Sequence, residues 1–584
     1  MNKKVFYSMA LVSALMLGAC SSSDDVSGGS GTGENNTSYI AVNINNVGAA
    51  PGTRADYNND KTDGTYEDGT GIESAINKVR FYFFNADGTP YILNNPGENG
   101  HANYVDVSLE KNGADHNNTV ETVTKATLIL NGETNLAPAS MLTVVNPDAS
   151  GDLLGTGAQR YSLLRRQTVG SVWKNDKGFV MSNSVYKDAG LDICTTQLAN
   201  KLYNNAEDAN SNPTDVYVER VLAKVSASVN ENYKREGETD PAWIKITSND
   251  ELYHDTWRTK VGTLSIPQAD GQSKEVDVYA WIQGWGVADG NGKAEFTKQI
   301  RVADWTDATV GITPWNTADY HRCFWSNSVE IGNDNPAVNY SFNEYNQHGG
   351  SFYTMPNTPN EIVSNPYESS LTKLLVAAKL GYKDGENWKP AEICEYKGQQ
   401  FLGIDRLKTI IAGELGSKCK VKTTGTDGTI TYTSFSDIKK IEFKTSTSYN
   451  NLKDYQVVAE LPADLELYMV SNSEQSGWSK VDIATINKEL AQNPAEIRTD
   501  GDAYYFAPIK HLGKAGSLGE YGIVRNHSYK ITIKDMQGFG TPVFDPSKTI
   551  IPTIPTNDKS YLAAKINVLS WRVVNSTVDL DKTK

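Results

Sequence analysis

Two places in this 584-residue chain carry residues suited to chemistry done to the protein. The first is Cys20, at the end of Leu17-Gly18-Ala19-Cys20. Lys3 and Lys4 give a positive start, and 5–17 is almost wholly apolar. That run is too short for a membrane span and closes on small residues, the pattern of a secretory signal. A Cys after such a small pair resembles the bacterial lipobox, in which the thiol is lipidated and the Cys becomes the new N-terminus. Ser21-Ser22-Ser23-Asp24-Asp25 and a Gly/Ser-rich tether follow, as expected of a lipid-anchored chain. The second place is Pro51-Gly52-Thr53-Arg54-Ala55, an open loop with a single basic residue and a peptide bond, Arg54–Ala55, that a protease can reach.

Residue types that do catalysis do not fall into working patterns. The seven His (101, 116, 254, 321, 348, 511, 527) show no H-x-x-x-H or H-E-x-x-H spacing. His527 lies in Arg525-Asn526-His527, but no placed nucleophile and orienting acid accompany it, so a hydrogen-bonded structural His is expected. Cys194, Cys323, Cys394 and Cys419 lack C-x-x-C spacing, which argues against a metal cluster. Cys394 and Cys419 are read either as a bridge or as buried thiols. There is no G-x-S-x-G, P-loop or dinucleotide fingerprint. The acidic run 56–64 fails the EF-hand template, because Lys61 falls where an oxygen ligand is required. The expectation is no enzyme, no cofactor and no metal.

The elements that must position the two modification sites are strands. The chain has 48 Gly, 30 Tyr and 11 Trp, with short patterned runs between turn residues, which points to a β-rich extracellular protein. A net charge of −15 with no basic stripe argues against nucleic acid and keeps copies apart in solution. Residues 39–44 alternate, with Ile40, Val42 and Ile44 on one face. Further strands are expected at 75–84, 126–130, 142–145 and 179–181, with short helices at 161–167 and 196–203. A new strand run, 216–229, follows the polar 204–214 stretch. Strands continue at 276–285, 371–380, 429–433, 441–443, 455–460, 465–470, 503–506 and 529–533. Two helices interrupt them: 404–412, stopped by Gly413, and 481–492, with Ser479 and Asp482 at capping-box spacing and Pro494 as the stop.

The chain ends in another apolar strand pattern, 566–580. Leu569, Trp571 and Val573 alternate, and Val578 and Leu580 follow. A sheet that loses a strand exposes unpaired backbone groups above an apolar groove. A cut after Arg54 severs 39–44 from the body, and the vacated groove can then accept an extended peptide by β-augmentation. The five apolar residues of the tail give on the order of 7–15 kcal/mol on burial, before ordering costs. Such a head-to-tail contact does not close on itself, so it builds a filament.

Several segments resemble the fimbrillins of type V pili, and within them the shaft subunits of the minor fimbrium. The most specific are Tyr521-Gly522-Ile523-Val524-Arg525-Asn526-His527-Ser528-Tyr529-Lys530-Ile531 and Gly538-Phe539-Gly540-Thr541-Pro542. Ile566-Asn567-Val568-Leu569-Ser570-Trp571, Phe179-Val180-Met181-Ser182-Asn183 and Val218-Glu219-Arg220-Val221-Leu222-Ala223-Lys224-Val225 are also similar to family signatures. The resemblance implies a mainly β chain of two transthyretin-like β-sandwich domains with a few short helices. It implies lipoprotein export, cleavage by an Arg-specific maturation protease and polymerisation through a C-terminal donor strand. Its partners are then copies of itself, accessory tip and anchor fimbrial proteins and, before cleavage, the outer membrane through lipid. Arg54–Ala55 is the maturation bond that fits, whereas Lys61 has the wrong side chain and Arg80 lies within an expected strand.

The resulting organisation is a signal peptide (1–19), a lipid-anchored propeptide with the first strand (20–54), an N-terminal sandwich (55–214) and a C-terminal sandwich ending in the donor strand (215–584). The mature chain is expected in a cell-surface fimbria that supports adhesion and biofilm formation. The alternative is a monomeric surface lipoprotein binding carbohydrate or host protein. A secreted hydrolase ranks third.

Overall fold

The structure is a computed structural model. It describes residues 37–46, 72–73, 75–94, 101–108, 124–133, 136–150, 157–170, 173–174, 177–184, 194–249, 251–267, 272–300, 310–311, 325–345, 350–445, 449, 452–470, 477–554, 561–570 and 572–573. The chain is mainly β, arranged in several sheets with few short helices.

Alternating and continuous apolar runs build the first sheet. Lys78–Phe84 buries Val79, Phe81, Tyr82, Phe83 and Phe84, and Ser140–Val145 beside it buries Met141, Leu142, Val144 and Val145. Among the described residues this sheet has eight strands. Seven run in the order Tyr104–Ser108, Lys78–Phe84, Ser140–Val145, Met181–Asn183, Thr214–Arg220, Thr37–Asn46, Thr124–Asn131, and the eighth, Thr196–Gln197, pairs with Ser140–Val145 off this path. Arg80 does lie inside a strand: its guanidinium donates to both Asp106 carboxylate oxygens, at 2.7 and 2.8 Å, and sits 3.9 Å from the Tyr104 ring centroid.

The run expected as one strand, 216–229, is two. Thr214–Arg220 pairs into the first sheet, and Ala223–Val229 pairs with His527–Gln537 in another. Val221 and Leu222 belong to the first core and Ala223 opens the second. The change of core thus falls some residues after the expected boundary at 214/215. Continuous β propensity across a crossover hides it.

The second core lies between two sheets. One holds Ser351–Thr354, Ala223–Val229, His527–Gln537, Tyr561–Ser570 and Arg572–Val573; the other runs Trp243–Ile246, Thr256–Pro267, Ser273–Ala288, Lys373–Asp384, Asp502–Pro508, Thr541–Pro542. Val225, Tyr529, Ile531 and Leu562 from the first meet Val261, Val278, Leu374 and Ala503 from the second.

A third core, expected only as more of this sandwich, occupies 394–497. It packs around two helices, Ile404–Lys418 and Ile483–Leu490. Gly413 does not stop the first. A Cβ there would meet nothing, and the helix continues because Leu415 keeps burying its face. The second helix is capped by Asp482, which accepts from the Ala484 N–H. Its first turn thus begins inside the expected 481–492. Cys394 and Cys419 are free buried thiols in this core, and burial pushes the Cys394 thiol up to about 12. Thr196–Tyr203 is not a helix: Thr196–Gln197 pairs with Ser140–Met141, and Tyr203 bridges Tyr39.

Candidate functional site

The alternation at 39–44 produces a strand with two flanks. Thr37–Asn46 runs antiparallel to Thr124–Asn131, from Thr37 opposite Asn131 to Ile44 opposite Thr124. On its other side it runs parallel to Thr214–Arg220, from Val42 opposite Thr214 to Asn46 opposite Val218. Upstream of that pairing, Tyr203 exchanges two backbone hydrogen bonds with Tyr39, at 2.8 and 2.9 Å. This strand is therefore interior to its sheet.

Its inward side chains are fixed by the pleat. Ile40 and Val42 are fully buried in the first core; Ile40 lies opposite Leu128 and Val42 opposite Ala126. Val216 and Val218 continue the same core on the parallel side. Burying Ile40 and Val42 contributes about 1.5–3 kcal/mol each. Take the strand away, and two rows of backbone N–H and C=O groups and an apolar slot between Leu128 and Val216 are left open.

The sequence reading passed over a lid on this seat. The polar stretch 204–214 contains the helix Ala206–Ser211, which packs against Thr37–Asn46 and Thr124–Asn131. Asn205 caps it by accepting from the Asp208 N–H at 2.8 Å, and Thr127 donates to Asn210 at 2.7 Å. The Asn-x-x-Asp spacing was the available signal.

At the other end, Tyr561–Ser570 pairs antiparallel with His527–Gln537, from Tyr561 opposite Gln537 to Ser570 opposite His527. Beyond it, among the described residues, lies only the two-residue strand Arg572–Val573, which folds back so that Val573 faces Leu569 and Arg572 faces Ser570. Of the expected donor residues, Leu569 sits opposite Ser528 in this intramolecular ladder, and Val573 pairs with Leu569. Trp571, Val578 and Leu580 lie outside the described residues, as do Cys20, Arg54 and Ala55. The chain's own sandwich pairs the start of the tail pattern, through Ser570, with His527–Gln537. An alternating pattern does not say where one partner ends and another begins.

Between the two seats lies a buried polar junction built from the sequence's most distinctive stretches. Arg525 donates to the Ser182 hydroxyl at 2.9 Å and to the Phe296 carbonyl at 3.2 Å. Asn526, at φ 55°, donates its N–H to the Leu222 carbonyl at 2.8 Å, and its side-chain oxygen accepts from Arg220 at 3.3 Å. Arg220 also donates to the Glu73 carbonyl at 2.6 Å. The Glu73 carboxylate takes Lys224 at 3.0 Å and the Tyr353 hydroxyl. Lys298 pairs with Glu219 at 3.0 Å, both nearly wholly buried. Paired buried charges of this kind lock a geometry more than they add stability. Glu73 was missed in sequence, because its partners are more than a hundred residues away.

His527 donates from Nδ1 to the Arg525 carbonyl at 2.8 Å, and Tyr529 hydrogen-bonds His511 at 2.9 Å beside it. Gly522, at φ 116°, lies against the Asn357 carbonyl, where a Cβ would come within 2.8 Å. Gly540, at φ 67°, lies equally close to Tyr504 and Tyr505, and its carbonyl accepts from buried Arg498 at 2.6 Å. These contacts explain why the 521–531 and 538–542 stretches need those residues. Among the described residues no group of three His, Cys, Asp or Glu could hold a metal, and no helix is long and apolar enough to cross a membrane.

No curated protein matches the chain in sequence. Among solved structures it is similar to a protein from Parabacteroides distasonis ascribed to cell adhesion, at 11% identity and TM-score 0.30, covering 92% of this chain and 99% of that one. A fimbrial assembly protein from the same organism aligns at 11% identity and TM-score 0.24, covering 75% and 100%. The tip fimbrial protein Mfa3 from Porphyromonas gingivalis, with C-terminal truncation, aligns at 8% identity and TM-score 0.27, covering 91% and 100%. These superpositions are loose, and residue roles do not transfer through them. In sequence, residues 498–577 match the family described as Major fimbrial subunit protein type IV, Fimbrillin, C-terminal. That span holds Arg498, the Arg525-Asn526 corner, the Gly538–Gly540 loop and the Tyr561–Ser570 strand. Residues 498–577 of this chain are thus similar in sequence to the C-terminal region of fimbrillins.

Proposed function

We propose that this chain is the structural subunit of a cell-surface fimbria. It is exported as a lipoprotein acylated at Cys20, cut after Arg54 and polymerised head-to-tail. The observation that carries the reading is the interior position of Thr37–Asn46. A strand on the near side of Arg54–Ala55 fills a seat one strand in from the edge of a sheet whose other described strands all lie downstream of that bond. Severing the bond makes the strand a separate peptide held only by non-covalent contacts.

An incoming strand must run in the same direction to restore both ladders, antiparallel to Thr124–Asn131 and parallel to Thr214–Arg220. Residues following Ser570 of a second copy supply it, with Val578 and Leu580 on one face of the inserted strand and Val573 on the other. Trp571 and Leu569 form the neck between the donor body and the inserted segment. The Arg572–Val573 return must open first, a small cost for two residues of pairing. Accessory tip and anchor proteins complete the filament, and adhesion and biofilm formation follow from it.

The test is Arg54→Ala in cells that make the filament. The expected outcome is complete loss of this subunit from filaments and a full-length, lipid-anchored monomer, while wild-type filament protein begins at Ala55 by N-terminal sequencing. Filaments of normal length from the variant, or a wild-type start at Cys20, would overturn the proposal.

A further inference from the structure

The third core carries a four-stranded sheet with one face turned away from the core. Four strands build it, in the order Ile430–Ser434, Lys420–Thr424, Leu467–Val470, Trp478–Val481. Residues directly opposite in antiparallel pairs share a face, as do alternate residues along a strand. Lys422 faces Tyr432, Lys420 faces Ser434 and Tyr468, Tyr468 faces Lys480, and Val470 faces Trp478. One face therefore gathers Tyr432, Tyr468 and Trp478 with Lys420, Lys422 and Lys480. The other face presents Leu467, Val421, Met469 and Val481 to the core.

The aromatic residues come from three strands and meet above the sheet. Tyr432 and Trp478 stack with centroids 5.2 Å apart and planes 19° apart; Tyr468 packs edge-on against Tyr432 at 5.4 Å. All three are half-buried, and Val470 and Ile430 on the same face are 55% and 50% exposed. An aromatic cluster gathered on the outside of a sheet, with exposed aliphatic neighbours, marks a contact surface.

Charge decides the kind of partner. Glu466 is the acid at this cluster: it accepts from Lys480 at 2.6 Å and from the Tyr468 hydroxyl at 3.3 Å. Its carboxyl is held below the usual range first by the Lys480 hydrogen bond, with Lys422 adding to it. Lys420 donates to the Ser434 hydroxyl at 2.5 Å. Three lysines against one glutamate make a local cationic spot on a chain of net charge −15. The surrounding acidity disfavours nucleic acid, whose binding needs broad basic coverage.

We propose that this face binds a carboxylate-bearing glycan. Sugar rings stack their C–H faces on the Trp478–Tyr432–Tyr468 ridge, Lys422 and Lys420 receive the carboxylate, and the Ser434 and Thr424 hydroxyls bond ring hydroxyls. The site is independent of polymerisation and places ligand contact on the body of each subunit.

The test uses the purified chain on an array of acidic oligosaccharides, including sialyllactose and a hyaluronan hexasaccharide, beside neutral lactose and chitohexaose. Acidic members should bind. Trp478→Ala should weaken binding about tenfold or more, as loss of an aromatic anchor does. Lys422→Glu, on an exposed strand position, should abolish the preference for acidic over neutral sugars without changing the thermal midpoint, and it carries the test alone if Trp478→Ala unfolds. Binding to no acidic member, or equal binding by Lys422→Glu, overturns the proposal. So does a wild-type dimer in sedimentation velocity that Trp478→Ala dissolves, since the face then joins two copies.

Discussion

The strands nearest the two ends of this chain are of similar length and opposite standing. Thr37–Asn46 is interior, flanked on both sides, with Ile40 and Val42 buried. Tyr561–Ser570 has one long ladder, to His527–Gln537, and, among the described residues, only Arg572–Val573 on its far side. The interior strand lies upstream of Arg54–Ala55, and among the described residues the next strand of its sheet along the chain is Lys78–Phe84. The outer strand is continuous with the body and leads into the tail. The difference teaches which strand a sheet can exchange. An interior strand leaves a two-sided slot that specifies direction and register, whereas an outer strand leaves only one more edge.

Matched truncations give the sharpest contrast. Ile40→Ala and Leu562→Ala each remove a buried aliphatic side chain, and each should cost about 2–5 kcal/mol in urea unfolding of the uncut chain. In a chain that begins at Ala55 only Leu562→Ala has a target. If the cut protein retains the peptide and still responds to Ile40→Ala, the strand has not left its seat. Next in size is deletion of 571–584. It should cost about 1–3 kcal/mol, the pairing of Arg572–Val573, and leave a folded monomer that cannot extend a filament. Unfolding on that deletion would make the tail part of its own subunit and end the comparison.

The smallest effect is acid sensitivity near the outer strand. Burial pushes the Glu520 carboxyl up, but the Gly516 N–H at 2.7 Å and Lys510 at 2.9 Å outweigh it, so its pKa lies below the usual value. A lowered folded-state pKa contributes stability that is present above the unfolded value and lost as pH falls through the folded one. Hydrogen exchange of 510–521 should therefore quicken below about pH 4.3, by less than 1 kcal/mol, and Lys510→Ala should flatten the response. An unchanged profile in that variant would remove Glu520 from the account.

Much of this was legible because strand signals are local. Alternation at 39–44 and the apolar run at 75–84 became Thr37–Asn46 and Lys78–Phe84. The 216–229 run was legible as strand but not as two strands in two sheets, since a crossover at Val221-Leu222 leaves the apolar pattern unbroken. Thr196–Tyr203 looked helical by composition, yet Leu198 is buried and Tyr203 is bound to Tyr39, contacts made across the fold. Stretches singled out by resemblance, 179–183, 218–225 and 521–531, turned out to be the pieces of one buried junction. Arg220 and Asn526 are 306 positions apart, so their meeting had no sequence signature. The lid helix was hidden by polar composition.

The two-sided ladder around Thr37–Asn46 has a mechanical meaning. Hydrogen bonds stand perpendicular to the strands in its antiparallel ladder and slant across them in its parallel one. A pull along this strand loads its rungs together, in shear, while a pull across an outer strand opens them one at a time. Whatever peptide occupies the seat inherits that geometry. A joint made there resists tension along its axis far better than peeling, which is what a thread drawn by flowing liquid demands of every link.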